Sequence, residues 1–355
     1  MDINRHLLPH TASLIEAIEA LNKMPAPNIF LIIIDHNRHV VGTLTDGDVR
    51  RAFLKGKGGE TPVHDCMGVA SKLGLQYQYS RNETLLNGLR ARPKFLPVVD
   101  QCGVIVDILT SETDLADRAL GFVMAGGKGT RLGELTKNKP KPLMEVDDKP
   151  ILGHVLDRLE EANVSKTFIS VNYLSEQIGH FVDERINKTN IELVYEDLPL
   201  GTAGAIGLVS ERINLPVIVL NGDIITNLNV EALIESHARS GNGVTIAVTR
   251  HDIKIPFGVV RHTEDGVFLG IDEKPTMSHF VAAGVYVLSP EVCALIPKRK
   301  RADMPDVINL AKEIGLGVGI FPIHEYWIDI GRPQDLQAAR QSDIKSDRKI
   351  IQPKV

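Results

Sequence analysis

The sequence predicts an α/β protein in two parts, an α+β module followed by a mostly parallel sheet covered by helices. The first part is indicated by an internal repeat, in which residues 28–35 match residues 93–100. The second is indicated by continuous apolar strand patterns that alternate with helical patterns, which is typical of parallel sheets. The length of 355 residues suits about two domains. The predicted boundaries are 1–119 for the duplicated module, 120–345 for the sheet domain and 346–355 for a tail.

Composition and charge exclude several classes of protein. The net charge is −5, with 43% hydrophobic and 24% charged residues, so no basic surface for nucleic acid is indicated. The longest apolar run, residues 29–34, suits a buried strand and is too short to span a bilayer. The start of the chain lacks a signal-peptide pattern, and the three cysteines form no metal or redox motif. We expect a reduced, cytoplasmic protein with no nucleic-acid or membrane partner.

Each repeat has a helix, a strand, a turn, a second strand and a further helix. The first repeat covers residues 1–62 and the second residues 63–119. Apolar residues at helical spacing mark the helices, and short apolar runs mark the strands. Because duplicated units usually pack against each other, we expect the two repeats to form one body. The predicted elements are helices at 12–21, 83–90 and 111–119 and strands at 28–35, 40–45, 93–100 and 105–110.

The distinctive residues of the first repeat are Asp35, Gly42 and the sequence TDGD at residues 45–48. With these residues the two repeats resemble a tandem CBS pair, or Bateman module, whose halves form a cleft that often takes adenosine or guanosine nucleotides. The resemblance implies that Thr45 and Asp48 contact the ribose of an AMP- or GMP-type ligand. The alternative is that Thr45 and Asp48 cap a helix, because threonine followed by an acidic third residue is a common N-cap.

The second repeat departs from this pattern. Asp107 stands where the first repeat has Gly42, and Thr113 falls at the position of Asp48. We therefore do not expect the second repeat to bind a ligand. The alternative for the module as a whole is that it serves docking or oligomerisation, in a homo-oligomer. No flexible linker separates the module from the sheet domain, so the junction can transmit orientation.

Three glycines, Gly126, Gly127 and Gly129, follow a short apolar strand at residues 121–124. A loop without side chains exposes its backbone amides and can wrap an anion. Arg131 and, farther along the chain, Lys139 and Lys141 add positive charge beside the loop. The spacing matches neither a Rossmann fingerprint nor a Walker A loop. The sequence therefore predicts a phosphate-binding loop of another kind.

Ligands bind beyond the carboxyl ends of the strands in sheets of this class. This rule selects the glycine loop, residues 196–204 and residues 221–223. Asp223 would be a carboxylate beside phosphate, an arrangement that Mg²⁺ prefers. The alternative is a solvated aspartate in an Asn-Gly-Asp turn. The predicted elements are strands at 121–124, 166–171, 191–195, 216–220 and 244–249 and helices at 174–187, 203–212 and 230–239.

The sequence GGKGTRL at residues 126–132, followed by KPKPL at residues 139–143, resembles the nucleotidyltransferases that activate sugar 1-phosphates. The resemblance covers residues 121–340 and implies a Rossmann-like sheet domain of the GT-A-like type. It implies that the sugar phosphate attacks the α-phosphorus of a nucleoside triphosphate and that pyrophosphate leaves. No protein nucleophile is required, because positioning and charge neutralisation carry such a transfer.

The same resemblance assigns roles to single residues. Arg131 and Lys141 would be the catalytic residues that neutralise phosphate charge. Asp223 and Asp329 would hold Mg²⁺. The implied nucleotide-binding residues are Ala125, Gly126, Gly127, Gly129, Thr130, Gly201, Thr202 and Gly222, and the implied sugar-phosphate-binding residues are Gly258, Glu273, Lys274 and Gly284.

Some of these residues have a structural alternative. Glu273 and Lys274 can form a surface ion pair at the end of a strand. Asp329 can cap the helix that Pro333 opens. On the sugar side, Ala282 stands where many family members have asparagine, which leaves the sugar open.

The loop LGTAG at residues 200–204 resembles that of mannose- and heptose-1-phosphate guanylyltransferases. The pairing of CBS repeats with this transferase resembles the glucosamine-1-phosphate guanylyltransferases of legionaminic acid synthesis. The resemblance implies GTP and α-D-glucosamine 1-phosphate as substrates, with mannose or heptose 1-phosphate as the alternative acceptor. A nucleotide-sensing regulator with an inactive transferase domain is another alternative. A glycosyltransferase is a third, although residues 221–223 lack the Asp-x-Asp expected of that class.

Overall fold

The computed structural model describes residues 3–24, 29–69, 72–89, 94–110, 118–186 and 189–341. Most of the predicted helix at 111–119, including Thr113, and the whole of the predicted tail lie outside these residues. Within the described chain, no helix is long and apolar enough to cross a membrane.

The duplication predicted for the N-terminal module is visible in its two small sheets. In the first repeat, β1 pairs with β2 in parallel and β2 pairs with β3 antiparallel. In the second, β4, β5 and β6 pair in the same two ways. The elements are β1 (Leu7–Pro9), α1 (Leu14–Asn22), β2 (Phe30–Ile34), β3 (Val40–Thr45), α2 (Asp46–Leu54), β4 (Gly74–Leu75), α3 (Tyr79–Asn87), β5 (Phe95–Val99) and β6 (Ile105–Thr110), with 3₁₀ turns at Ile3–His6 and Val63–Asp65.

The two repeats pack together through equivalent positions. The rings of Phe30 and Phe95, the first residues of β2 and β5, stack with centroids 3.8 Å apart and planes 2° from parallel. A backbone bridge joins His39 to Val104, which are also equivalent positions of the two repeats. Equivalent positions of the two repeats therefore meet, as expected when a duplicated unit buries its own apolar face.

The second domain is built on a seven-stranded sheet in the order β11-β10-β7-β12-β17-β14-β18. All neighbours are parallel except β17, which is antiparallel to both β12 and β14. The predicted α/β fold with a mostly parallel sheet is thus confirmed. The strands are β7 (Leu120–Met124), β8 (Glu145–Val146), β9 (Lys149–Pro150), β10 (Lys166–Val171), β11 (Asn190–Tyr195), β12 (Val217–Asn221), β13 (Ile224–Thr226), β14 (Val244–Lys254), β15 (Val259–His262), β16 (Phe268–Asp272), β17 (Thr276–Leu288), β18 (Val318–Pro322) and β19 (Trp327–Asp329).

Helices cover both faces of this sheet. Successive residues of β7 point to opposite faces, as the pleat requires. Val123 belongs to the apolar cluster that includes Leu152 of α4, whereas Phe122 belongs to the cluster that includes Val292 of α7. The helices are α4 (Ile151–Glu161), α5 (Ser175–Glu184), α6 (Val230–Ser240), α7 (Pro290–Leu295), α8 (Met304–Glu313) and α9 (Pro333–Gln341), with 3₁₀ turns at Thr130–Thr136, Lys141–Leu143, Gly204–Leu208 and Ser210–Arg212.

The helix predicted at 203–212 is wrong in type, since the segment forms two 3₁₀ turns. Gly204 and Gly207 bring this backbone against a neighbouring one. A Cβ on Gly204 would lie 2.7 Å from the carbonyl oxygen of Lys300, and one on Gly207 would lie 2.7 Å from that of Pro297. Helical periodicity in the sequence did not reveal this close approach.

Candidate active site

The glycine loop leaves the carboxyl end of β7, as predicted. The amide of Ala125 still donates to the Ser170 carbonyl at 3.0 Å, after which the chain turns away from the sheet. Gly126 passes so close to Glu196 that a Cβ there would lie 2.7 Å from Oε1 of the carboxylate. Gly129 has φ +63, a left-handed conformation that favours glycine. A glycine is therefore favoured at position 129 by the turn and at position 126 by the close approach.

Gly201 and Thr202 form the opposite wall of the site. Gly201 has φ +81, and a Cβ there would lie 2.6 Å from Asp303 Oδ1. The Thr202 amide donates to the same carboxylate oxygen at 3.1 Å, which lowers the pKa of Asp303. The Thr202 hydroxyl in turn accepts a hydrogen bond from the amide of Met304 at 2.8 Å. Asp303 thus fixes this wall, although no sequence pattern pointed to it.

A buried lysine and an aspartate meet at the floor of the site. Lys141 lies in the 3₁₀ turn Lys141–Leu143 and is 6% exposed. Its Nζ lies 2.5 Å from Oδ2 of Asp223, which follows β12. Gly222 permits this arrangement, because a Cβ there would lie 2.6 Å from the carbonyl oxygen of Met124.

Asp329 is brought beside Asp223 by a separate two-stranded sheet. Strands β13 and β19 pair antiparallel with Ile224 opposite Asp329, and the amide of Ile330 donates to the Asp223 carbonyl at 3.0 Å. Desolvation by the surrounding protein, followed by the Asp223 carboxylate, raises the pKa of Asp329 against the opposing effect of Lys141. Two carboxylates that repel each other in this way favour a bound cation.

The residues at this point fit a divalent cation. Oδ1 of Asp223 is buried and has no hydrogen-bond partner among the described residues, although buried polar atoms are normally satisfied. Mg²⁺ takes oxygen ligands and is commonly held by one or two carboxylates together with substrate phosphates. Asp223 and Asp329 are the residues that would hold it, and the metal site itself stays a prediction.

The glycine loop, the wall and the floor enclose a cleft of about 360 Å³, a volume within the range of small-molecule sites. It contains every predicted nucleotide-binding residue and both predicted catalytic residues. Arg131 is exposed at the rim beside Gly331. The described residues that line it are Met124, Ala125, Gly126, Gly127, Gly129, Thr130, Arg131, Lys141, Pro142, Ser170, Glu196, Pro199, Leu200, Gly201, Thr202, Asn221, Gly222, Asp223 and Gly331.

The predicted sugar-phosphate residues do not line this cleft. Gly258 and Glu273 adjoin each other at the exposed hairpin β15–β16, where a Gly258 Cβ would lie 3.1 Å from Glu273 Oε2. Glu273 pairs with Lys274 at 3.8 Å, and both side chains are exposed. Gly284 lies nearer the cleft, with φ +72 and a Cβ position 2.7 Å from Asn221 Nδ2. Their role in sugar binding stays a prediction.

Sequence reasoning missed one residue of the site, misplaced another and gave a third no role. Ser170, which lines the cleft from β10, was missed. Lys139, expected beside the loop, pairs instead with Glu145 at 2.6 Å and does not line the cleft. Glu196 was selected within residues 196–204 as a residue beyond a strand end, but without a role; its carboxylate accepts the Leu200 amide at 2.9 Å and so connects the wall to the glycine loop. The same strand-end rule applied to β10 would have selected Ser170.

In the N-terminal module, Thr45 and Asp48 cap α2. The amide and the hydroxyl of Thr45 donate to Asp48 Oδ2 at 2.8 and 2.7 Å. Thr45 also lines a cavity of about 120 Å³ together with Arg51 and Arg239. The capping role is therefore observed, and ligand binding by these residues stays a prediction.

Comparison with known proteins agrees with this geometry. The family model described as nucleotidyl transferase matches residues 120–346, and that of the CBS domain matches residues 2–55. The chain belongs to the nucleotidyl transferase family.

Two similar proteins are named mannose-1-phosphate guanylyltransferases. The mannose-1-phosphate guanylyltransferase catalytic subunit beta of Drosophila pseudoobscura pseudoobscura is 31% identical over 250 residues, which cover 68% of this chain and 67% of the relative. The mannose-1-phosphate guanyltransferase of Pichia angusta is 31% identical over 228 residues, which cover 61% of each chain. This chain therefore spans two thirds or less of the length of most such relatives.

Two solved structures share the fold. HddC from Yersinia pseudotuberculosis, complexed with GMP-PN, has a TM-score of 0.50 and 25% identity, over 62% of this chain and 98% of its own. A putative glucose-1-phosphate thymidylyltransferase from Bacillus anthracis has a TM-score of 0.51 and 22% identity, over 64% of this chain and 98% of its own. The second is informative about the fold alone.

Proposed function

We propose that this protein transfers a guanylyl group from GTP to a sugar 1-phosphate and releases pyrophosphate. The observation that carries the proposal is the Lys141–Asp223 pair at the floor of the glycine-loop cleft, with one oxygen of Asp223 left unpartnered among the described residues. Transfer of a nucleotidyl group requires groups that bind and neutralise phosphate charge. The glycine loop offers backbone amides, Lys141 offers a positive charge, and Asp223 offers a carboxylate oxygen that can bind a metal.

The reaction needs no covalent intermediate with the protein. An oxygen of the sugar phosphate attacks the α-phosphorus in line, and the bond to the pyrophosphate oxygen breaks. The amides of the glycine loop bind the triphosphate, and Lys141 and Arg131 neutralise the charge that grows on the departing oxygens. Gly201 and Thr202, held by Asp303, position the nucleoside. Mg²⁺ held by Asp223 and Asp329 would supply further positive charge at the phosphates.

Guanine as the base is supported by the relatives, which are named guanylyltransferases, and by the neighbour crystallised with GMP-PN. For the acceptor we propose α-D-glucosamine 1-phosphate, because a CBS domain precedes the transferase in this chain, as in the glucosamine-1-phosphate guanylyltransferases that the sequence resembles. Mannose 1-phosphate is the second candidate, and the names of the relatives favour it.

Pyrophosphate release tests this proposal. We expect turnover with GTP and much slower turnover with ATP, UTP or CTP, each assayed with glucosamine, mannose, glucose and heptose 1-phosphates. The sugar that gives the highest kcat/KM with GTP identifies the acceptor. Equal or faster turnover with UTP would contradict the guanylyl assignment, and the absence of pyrophosphate with every pair would contradict the reaction class.

A further inference from the structure

Helix α2 of the N-terminal module inserts a buried arginine into the transferase domain. Arg50 is 3% exposed, and its guanidinium stacks on the ring of Phe321 with 3.9 Å to the centroid. It donates to Asp46 of its own helix at 2.6 and 2.9 Å and to Glu325 of the other domain at 2.7 and 3.2 Å. A further bond goes to the Pro322 carbonyl. All five N–H donors are thereby used, so the position of this side chain is fixed in three dimensions.

Glu325 connects Arg50 to two segments of the transferase domain through hydrogen bonds. Its Oε1 accepts the amide of Asn229 at 3.1 Å, and its Oε2 accepts the amide of His324 at 3.0 Å. Burial would raise the pKa of Glu325, but the charges of Arg50 and His324 outweigh it and hold the pKa well below its usual range. Glu325 is therefore an anion whose position depends on Arg50.

The two segments that meet at Glu325 both lead to the proposed metal site. The chain from Asp223 runs through β13 to Asn229, and the chain from Asp329 runs back through β19 to Glu325. The two segments pair antiparallel through β13 and β19. The amide of Asn227 also donates a hydrogen bond of 2.9 Å to the Tyr326 carbonyl. At strand spacing the span from Glu325 to Asp329 is about 13 Å. Residues 223–229 and 325–329 thus form a two-stranded ribbon. One end of the ribbon carries Asp223 and Asp329, and the other end contacts Arg50 through Glu325.

We propose that Arg50 is a positioning residue for Asp223 and Asp329, and that the placement of the N-terminal module sets the affinity of their site for a divalent cation. The inference rests on the proposed function, because it needs the two aspartates to be metal ligands. Its consequence is regulatory. A ligand or partner that shifts α2 moves Glu325 and the ribbon, and so changes how much metal the site holds at a given concentration.

Mn²⁺ binding to the full chain without substrates, followed by electron paramagnetic resonance, tests the inference. Arg50→Lys keeps the charge but cannot bridge two carboxylates with a planar fork. We expect it to raise the Kd for Mn²⁺ about tenfold. Arg81→Lys is the matched control, because Arg81 lies on helix α3 of the same module, is exposed and donates to Gln78 of that module at 3.3 Å. Its Kd should equal that of the parent.

Two further variants keep the result decisive. Glu325→Gln preserves the shape of the side chain and should raise the Kd in the same direction, so it decides the matter if Arg50→Lys does not fold. Parental Kd values in folded Arg50→Lys and Glu325→Gln would overturn the inference, because a merely structural contact changes the melting temperature and not metal affinity. Asp223→Asn should lose Mn²⁺ binding. If it binds like the parent, the proposed metal site itself is wrong, which is a different failure.

Discussion

Nζ of Lys141 lies 2.5 Å from Oδ2 of Asp223, across a sequence separation of 82 residues. The pair joins the turn that follows the glycine loop to the carboxyl end of β12. It leaves the second oxygen of Asp223 buried and without a hydrogen-bond partner among the described residues. A positive charge and an unpartnered carboxylate oxygen are thus placed together without any substrate, which is the preorganisation that the proposed reaction needs.

Removal of the lysine charge should slow the chemical step. We expect Lys141→Met to lower kcat by about 10²–10³-fold, the usual loss for one preorganised charge at a transition state. Steady-state rates at saturating substrates measure this. The control is Lys139→Met, whose lysine pairs with exposed Glu145 outside the cleft and which should retain the parental rate. A Lys141→Met enzyme as fast as the parent would remove Lys141 from catalysis.

Loss of the Asp223 carboxylate should abolish activation by Mg²⁺. Because metal charge at a transition state is worth several kcal/mol, turnover of Asp223→Asn should fall about a hundredfold or more. The fold should stay intact, as checked by circular dichroism. Asp197→Asn, an exposed aspartate on the neighbouring loop that does not line the cleft, should behave like the parent. Mg²⁺-dependent turnover at near-parental rates in Asp223→Asn would rule out a metal role.

We expect the ionised Asp329 carboxylate to destabilise the metal-free protein at neutral pH. Its raised pKa means that the folded chain binds the proton more tightly than the unfolded chain. The parent therefore loses stability as pH rises from the ordinary aspartate pKa through the raised value. Asp329→Asn removes this loss. We expect it to melt above the parent at neutral pH without metal, and to match the parent in acid. A lower melting temperature at neutral pH would contradict the electrostatic account.

Alanine should be tolerated at Gly127 but not at Gly222. A Cβ on Gly222 would lie 2.6 Å from the Met124 carbonyl oxygen, so Gly222→Ala should lose about 1–3 kcal/mol of unfolding free energy through overpacking. Urea denaturation measures this loss. Gly127→Ala is the matched change, because no heavy atom lies within 4 Å of its Cβ position. It should keep parental stability but bind nucleotide more weakly. Equal stabilities of the two variants would contradict the described backbone approach.

Much of this architecture could be predicted because it depends on local pattern. Apolar runs such as residues 166–171 became strands with the predicted bounds, and the glycine loop lies at a strand end as the fold class requires. Asp303 could not be predicted, because its contact with Thr202 spans 101 residues and is set by tertiary packing. The same holds for Arg50 and Glu325, since a buried pair between domains has no periodicity of its own.

The fate of labelled phosphate tests the central claim, guanylyl transfer to a sugar 1-phosphate, most directly. Incubation with Mg²⁺, the sugar 1-phosphate and either α-labelled or γ-labelled GTP distinguishes the bond that breaks. The account predicts the α label in a sugar nucleotide and the γ label in pyrophosphate, with the rate of formation of both products reduced about a hundredfold or more in Asp223→Asn. Transfer of the γ label to the sugar, or release of the α label as free GDP or GMP, would contradict it.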